Sequence, residues 1–141
     1  MDSHTTGDGS ARPGRSLMNR ALATIGIAVV LNVIVWAIRY AVLDPPSSFD
    51  PLATVFPTII FTVLFLAIGI GIYAILRRRS ANPDRTFIQV ATVALLLSFL
   101  NFVALRGQDG NGPGAIAVLG IMHVVAYAVA VTVLAGRSIG R

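Results

Sequence analysis

The sequence predicts an all-α membrane protein: a bundle of four transmembrane helices in antiparallel up-down-up-down order, with both termini inside. Long apolar stretches, short connections and an uneven distribution of arginine predict this fold. No charged residue occurs in residues 21–38, 51–76, 86–105 or 110–136. A helix needs about 20 apolar residues to cross a bilayer, and each stretch supplies roughly that number. A membrane β-barrel would instead show segments of about 10 residues with alternating polarity.

Arginine supplies all the basic side chains, and the net charge is +5. Nine of the 11 arginines lie in or next to the N-terminal tail, in the second connection and in the C-terminal tail, whereas Arg39 lies near the outer end of the first span and Arg106 lies in the third connection. Short arginine-rich segments stay cytoplasmic, which places these three segments inside. Topology thus explains the basic pI, and we expect no nucleic-acid partner. The expected cytoplasmic anchors are Arg77, Arg78, Arg79 and Arg85.

The predicted elements follow from local signals. Residues 1–16 lack the apolar content to pack and are predicted to be a disordered cytoplasmic tail. Residues 17–136 form the transmembrane domain, with spans at about 21–42, 52–76, 86–105 and 115–135, and residues 137–141 form a second cytoplasmic tail. Pro45 and Pro46 end the first span. Pro57 falls in the first turns of the second span, where it costs little or bends the helix.

Because lipid is as apolar as leucine, small and weakly polar residues should mark the faces where helices meet. Each span has such residues at helical spacing, and helix packing is the simplest interpretation of every stripe. Thr62, Gly69, Ala94 and Gly120 are the packing residues that we select. The stripes are Asn32, Trp36 and Arg39; Thr58, Thr62, Phe65 and Gly69; Ala91, Ala94, Ser98 and Asn101; and Gly120, His123, Tyr127 and Ala130.

The polar side chains gather in the outer half of the predicted bundle, where they could line one small cavity open to the outside. The candidate cavity residues are Asn32, Arg39, Ser98, Asn101, His123 and Tyr127. Two alternatives stay open. Arg39 lies near a helix end and can instead extend to the membrane interface. His123 can be a neutral imidazole that bonds a neighbouring polar side chain and serves fold specificity.

The sequence lacks the residues that several kinds of functional site require. The chain has no cysteine, which excludes disulfides and thiolate sites. His123 has no nearby His, Asp, Glu or Cys in the sequence to complete a metal site, so we expect no metal and no cofactor. Proton-coupled export of the small multidrug type requires an acidic residue inside a span, and no Asp or Glu lies inside one. No nucleophile motif surrounds Ser98, so we predict no catalytic residue and no enzymatic activity.

Some short motifs resemble a known family. They are Asn32 and Trp36 in the first span, the prolines that open the second, Arg85-Thr86-Phe87, Leu95-Leu96-Leu97-Ser98, and Met122-His123. Over residues 17–135 the chain resembles small four-span prokaryotic membrane proteins that are known only as a domain of unknown function. The resemblance implies a four-helix bundle in a bacterial or archaeal cytoplasmic membrane, and it implies no activity.

Three hypotheses for function remain. The favoured one is a non-enzymatic component of the cytoplasmic membrane that acts through self-association or a partner complex, with the lipid bilayer as its surroundings. The second is an oligomeric carrier of a polar or anionic solute, with Arg39 contacting the anion and Asn32, Asn101 and His123 as hydrogen-bond partners. The third is a membrane redox or enzyme accessory that uses His123.

Overall fold

The computed structural model describes residues 13–42, 50–104 and 112–136, and these residues contain helices and no strand. Four long helices are joined by short connections, and one short helix precedes the second of them. A π-helical segment, Val131–Ala135, extends the last helix. The helices are α1 (Pro13–Val42), α2 (Asp50–Ala53), α3 (Val55–Arg79), α4 (Pro83–Ala104) and α5 (Pro113–Ala130).

All four long helices have the length and composition to cross a membrane. The chain is therefore a multi-pass membrane protein with four helical spans, as the charge-free stretches predicted. Its orientation in the bilayer stays a prediction. Arg77, Arg78 and Arg79 form the last turn of α3, where positive charge is favourable beside the negative end of the helix dipole.

Two helix boundaries differ from the predicted ones. α1 begins at Pro13, so residues 13–16 are helical and do not belong to a disordered tail. Proline is well suited to the first helical position, because its missing amide hydrogen would have no helical partner there. The second predicted span is divided between α2 and α3, with Thr54 in extended conformation between them. Pro57 follows in the first turn of α3, where it cannot donate to the carbonyl of Ala53.

The helices pack in the cyclic order α1, α3, α4, α5. Side-chain contacts join each neighbouring pair. Asn32 on α1 bonds Thr62 on α3, whereas Arg39, farther along α1, bonds Leu52, which precedes α3. The antiparallel order of the helices stays a prediction. The contacts for the other pairs are Tyr73–Asp84, Thr92–Tyr127, Phe102–His123 and Arg20–Val133.

Two buried apolar clusters hold the helices together at opposite ends of the bundle. At the end that we call the Tyr73 end, the cluster includes Tyr73, Phe87 and Leu134. There the Tyr73 hydroxyl donates to Asp84, and Arg20 Nε donates to the carbonyl oxygen of Val133 over 2.8 Å. At the other end, the Arg39 end, the second cluster is Leu52, Ala115, Val118 and Met122. The candidate site lies between the clusters.

Candidate functional site

Two side chains of α1 converge on one carbonyl oxygen at the Arg39 end. Trp36 Nε1 donates to the oxygen of Leu52 over 3.1 Å, and Arg39 Nη1 donates to the same oxygen over 3.0 Å. Leu52 is completely buried. Its carbonyl group lies at the end of α2, just before the chain leaves helical conformation at Thr54. The two donors therefore fasten α2 to α1 and satisfy an oxygen that the helix break exposes.

The position of Arg39 corrects both interpretations of this residue. Its side chain is only 6% exposed, so it does not extend to the surface of the protein. It is also absent from the lining of the cavity that holds Asn32. The sequence showed that Arg39 lies near a helix end, but it did not show that α2 returns to cover that end.

A cavity of about 300 Å³ lies between α1, α3 and α5, next to the second apolar cluster. Aromatic and aliphatic side chains form most of its wall, with α4 contributing Phe102. The polar lining comes from Asn32, Thr58, Thr62 and His123. The apolar lining residues are Pro57, Phe61, Phe65, Phe102, Leu119 and Met122.

Asn32 and Thr58 leave polar atoms in this wall without a partner. Asn32 Nδ2 donates to the Thr62 hydroxyl over 3.0 Å, while Asn32 Oδ1 has no hydrogen-bond partner among the residues that the structure describes. The Thr58 hydroxyl has none either. Both residues are more than nine-tenths buried. A buried polar group without a partner costs about 1–3 kcal/mol, so two of them in one wall call for an explanation.

Other threonines in the helices show how a hydroxyl is usually satisfied. Thr24, Thr92 and Thr132 each donate to the carbonyl oxygen four residues earlier in their own helix, over 2.7–2.8 Å. This internal bond is the common solution for threonine in a membrane helix. Thr58 does not make it. Its hydroxyl is thus distinct from three hydroxyls that the same fold satisfies locally.

His123 contributes one ring edge to the cavity. Its Nδ1 lies 2.7 Å from the carbonyl oxygen of Leu119, on the preceding turn of α5. A carbonyl oxygen can only accept, so Nδ1 carries the proton, and in the neutral ring Nε2 is an acceptor. Phe102 packs edge-on against the ring with centroids 5.4 Å apart. The fold thus fixes both the tautomer and the orientation of His123.

Two other predicted cavity residues, Ser98 and Tyr127, do not line this cavity. Ser98 is half-buried and donates to the carbonyl oxygen of Leu95 over 2.6 Å, within its own helix. The Tyr127 hydroxyl lies 2.9 Å from the Thr92 hydroxyl, and this contact links α5 to α4. Asn101 lies on α4, but its side chain is outside the described part of the chain. The structure therefore brings together Asn32 and His123 from the predicted set and places Arg39, Ser98 and Tyr127 elsewhere.

The predicted packing residues also divide. Gly120 lies where helices meet closely, because a Cβ there would come within 3.3 Å of the Phe99 ring. Thr62 is buried and bonds Asn32. Around Gly69, by contrast, a Cβ would meet nothing within 4 Å. Ala94 is exposed, because α4 packs through the neighbouring face that contains Thr92 and Leu95.

Sequence reasoning missed part of the cavity wall. Thr58 appeared in a packing stripe and not in the candidate site, while Phe61 and Phe102 appeared in neither. Thr58 directly follows Pro57, and Thr62 lies one helical turn after Thr58, so their spacing was a usable signal. No comparable signal marks the phenylalanines, which are as apolar as the lipid-facing residues around them.

A larger cavity, of about 430 Å³, lies on α4 and α5 around Gly120. Its lining residues are apolar: Phe99, Phe102, Ile116, Ala117, Gly120, Ile121, Val124 and Val125. These described lining residues offer a ligand no side-chain hydrogen bond, and an acyl chain of the bilayer can fill such a groove. We therefore place the candidate site at the smaller cavity.

The four predicted cytoplasmic anchors do not line this cavity. Arg77, Arg78, Arg79 and Arg85 are all exposed near the Tyr73 end. Their role as cytoplasmic anchors stays a prediction. Within residues 13–42, 50–104 and 112–136, no group of three His, Asp or Glu side chains is arranged to hold a metal ion.

Comparison with known proteins gives a family and no activity. Residues 12–139 match the model of a family described as a family of unknown function (DUF6069). The match covers most of the chain and includes all the described helices. A search of curated proteins and a search of solved structures each find no match.

Proposed function

We propose that this chain, which belongs to the family of unknown function DUF6069, is a non-enzymatic component of the cytoplasmic membrane that works by self-association. The observation that carries the proposal is a pair of small residues on the surface of α3. Ala67 and Gly71 are four residues apart, and both are exposed. Residues at this spacing lie on one face of a helix, one turn apart.

Small residues at this spacing support helix association in a membrane. Association there depends on close van der Waals packing, since lipid provides no hydrophobic driving force between helices. Two small residues one turn apart let a second backbone approach closely. The neighbouring exposed residues Leu64, Ile68 and Ile75 are large, so they can form the walls of a shallow groove around the pair.

The single chain gives no packing reason for glycine at position 71. A Cβ at Gly71 would meet nothing within 4 Å. Glycine in a helix interior is about 1 kcal/mol less favourable than alanine. An exposed glycine that the monomer does not need is what a contact with a second copy would require.

The use of polar side chains supports a role without catalysis. Ser98 and His123 are the only candidates that the sequence offered for a catalytic nucleophile and its base. Each bonds a carbonyl oxygen of its own helix. Arg39 bonds the Leu52 carbonyl. The anionic-carrier alternative thus has no arginine in the cavity, and the redox alternative rests on one histidine. The arginine distribution supports the cytoplasmic membrane with N-in and C-in orientation.

Self-association can be tested with two glycine variants of the full chain in lipid nanodiscs or mild detergent. Gly71→Leu should weaken the dimer at least about tenfold, because a larger side chain keeps the helices apart. Gly26→Leu is the matched control: Gly26 is also exposed and a Cβ there meets nothing, but Leu22 and Val30 lie four residues away. Native mass spectrometry or single-molecule photobleaching gives the oligomeric state.

The outcomes separate the hypotheses. A wild-type dimer that Gly71→Leu dissociates and Gly26→Leu preserves would support association through α3. A wild-type chain that is monomeric at all protein-to-lipid ratios would overturn the proposal. So would a dimer that tolerates Gly71→Leu, because its contact would lie elsewhere.

A further inference from the structure

We propose that the 300 Å³ cavity between α1, α3 and α5 binds a small, neutral aromatic alcohol that enters from the hydrocarbon of the bilayer. This binding site goes beyond the self-association proposed above and does not depend on it. The inference comes from the unpartnered atoms in the wall, the absence of charge in the lining, the aromatic side chains and the position of the opening.

The unpartnered atoms define the polar part of the ligand. Asn32 Oδ1 can only accept a hydrogen bond, while the Thr58 hydroxyl can donate or accept. Thr58 is one helical turn from Thr62, the residue that orients the Asn32 amide. Neither atom is open to solvent in the empty cavity, so binding turns the Asn32 and Thr58 side chains toward a ligand hydroxyl that donates to Asn32 Oδ1 and accepts from Thr58. Such a group would satisfy both buried atoms at once.

The rest of the lining indicates a neutral ligand. Among the described residues, no Arg or Asp side chain contributes to the cavity wall, so an anion or cation would lose its hydration without compensation. His123 Nε2 adds a second acceptor, which also favours a ligand that donates. The donor need not be strong, because the low polarity of the surroundings strengthens each hydrogen bond.

The walls and the opening indicate the apolar part. Phe61, Phe65 and Phe102 line the cavity, and aromatic rings pack well edge-on or offset against another ring. Phe61 is 51% exposed and Phe65 63% exposed, so this wall borders the lipid-facing surface. The opening is separate from the association face, because Ala67 lies about 200° around α3 from Phe65 at about 100° per residue.

Other occupants explain less. An acyl chain would fill the space, but it has no donor for Asn32 Oδ1. Water could bond the polar atoms, yet a single molecule takes about 30 Å³ and would leave most of an apolar cavity empty. An aromatic alcohol combines the required donor with enough apolar surface.

Three compounds with one carbon skeleton test the ligand class: 1-(2-naphthyl)ethanol, 2-acetylnaphthalene and 2-ethylnaphthalene. The first donates and accepts, the second only accepts, and the third does neither. Binding to the full chain in nanodiscs is measured by equilibrium dialysis, with empty nanodiscs of the same lipid to subtract partitioning. The alcohol should bind at least about tenfold more tightly than the hydrocarbon, with the ketone between them, since each hydrogen bond contributes about 0.5–1.5 kcal/mol.

Two threonine variants locate the site. Thr58→Val keeps the side-chain shape and should reduce the preference for the alcohol over the hydrocarbon to within about threefold. Thr24→Val is the control, because Thr24 is completely buried but donates to the Arg20 carbonyl oxygen and does not line the cavity. It should retain the wild-type preference. Thermal unfolding of both variants without ligand checks that they are folded.

Three results would overturn the proposal. The first is equal binding of the alcohol and the hydrocarbon to the wild-type chain. The second is no binding above empty nanodiscs, which would leave water or lipid as the occupant. The third is an alcohol preference that Thr58→Val leaves unchanged, because the hydroxyl would then be recognised elsewhere.

Discussion

The Tyr73 end of the bundle and the region around Asn32 use similar residue types in different ways. At the Tyr73 end, long polar side chains cross between helices and meet partners: Tyr73 donates to Asp84, and Arg20 donates to Val133. Around Asn32, two donors share the Leu52 carbonyl, while Asn32 Oδ1 and the Thr58 hydroxyl have no partner within the described part of the chain.

The difference indicates that the polar groups at the Tyr73 end stabilise the fold, whereas those at the cavity are available to bind a ligand. A fold that needed every polar group for packing would satisfy all of them, as the Tyr73 end does for the bonds described. Unpartnered atoms next to an open cavity lower the stability of the empty protein, and a ligand that satisfies them recovers the loss. We therefore expect substitutions at the Tyr73 end and at the cavity to affect stability with opposite signs.

The largest effect should come from Arg39→Ala. It removes a buried guanidinium group and one of the two donors to the Leu52 carbonyl. Hydrogen bonds to charged groups contribute about 1.5–3 kcal/mol, so we expect a loss of about 2–3 kcal/mol in the free energy of unfolding. Unfolding in mixed detergent and SDS micelles measures it. Arg78→Ala, at an exposed position, is the control and should change little; unchanged stability for Arg39→Ala would instead favour a solute-binding role.

Thr58→Val should stabilise the protein in the absence of ligand. The substitution replaces an unpartnered buried hydroxyl with a methyl group of similar size, and leaving such a group unsatisfied costs about 1–3 kcal/mol. We expect a gain of about 1–2 kcal/mol by the same unfolding assay. A loss of stability would show that the hydroxyl already has a partner in the empty protein, and the comparison between the two regions would fail.

Tyr73→Phe should destabilise the protein by about 1 kcal/mol, the typical contribution of one hydrogen bond. The variant loses the bond to Asp84 but keeps the ring contact with Phe87, whose centroid lies 5.0 Å away. The opposite signs for Tyr73→Phe and Thr58→Val are the sharpest test of the difference between the regions. If Tyr73→Phe raised the unfolding free energy, the Tyr73 end would not be the better-satisfied region.

The smallest effect should come from Thr24→Val. Thr24 donates to a carbonyl oxygen of its own helix, and hydrogen bonds inside membrane proteins contribute on average about 0.6 kcal/mol. We expect a loss of about that size in the same assay. A gain as large as that of Thr58→Val would mean that removing any buried threonine hydroxyl stabilises this protein, so the effect at Thr58 would not be specific.

The helices were largely predictable because charged residues lie at the ends of the apolar stretches. The charge-free stretches identified four spans, and the observed helices match them apart from their ends. The break at Thr54 was less predictable, since Pro57 is compatible either with a continuous first turn or with a bend. The bonds from Trp36 and Arg39 to Leu52 favour the broken form, and they join residues that no local pattern relates.

The site was predictable only in part, because lipid-facing and buried faces have similar composition. Asn32 and His123 were found because polar residues are rare in a span. Steps of three and four residues are both helical, so the sequence could not choose between Ala94 and Leu95 as the packed residue of α4. The sequence also does not give the direction of a side chain. Thr58 and Thr24 are the same residue type, and only the structure shows which hydroxyl bonds its own helix.

The π-helical segment determines how the chain leaves the bundle. In a regular α-helix, buried positions recur every three or four residues, but after Val129 and Ala130 the next fully buried residues are Leu134 and Ala135, each five positions later. The wider turn absorbs one residue and rotates Leu134 and Ala135 by about 100° relative to a continuous α-helix. Leu134 and Ala135 consequently join the apolar cluster of the Tyr73 end, and Arg20 holds the widened turn through the Val133 carbonyl. One inserted residue thus determines which side of the final turn meets the interior.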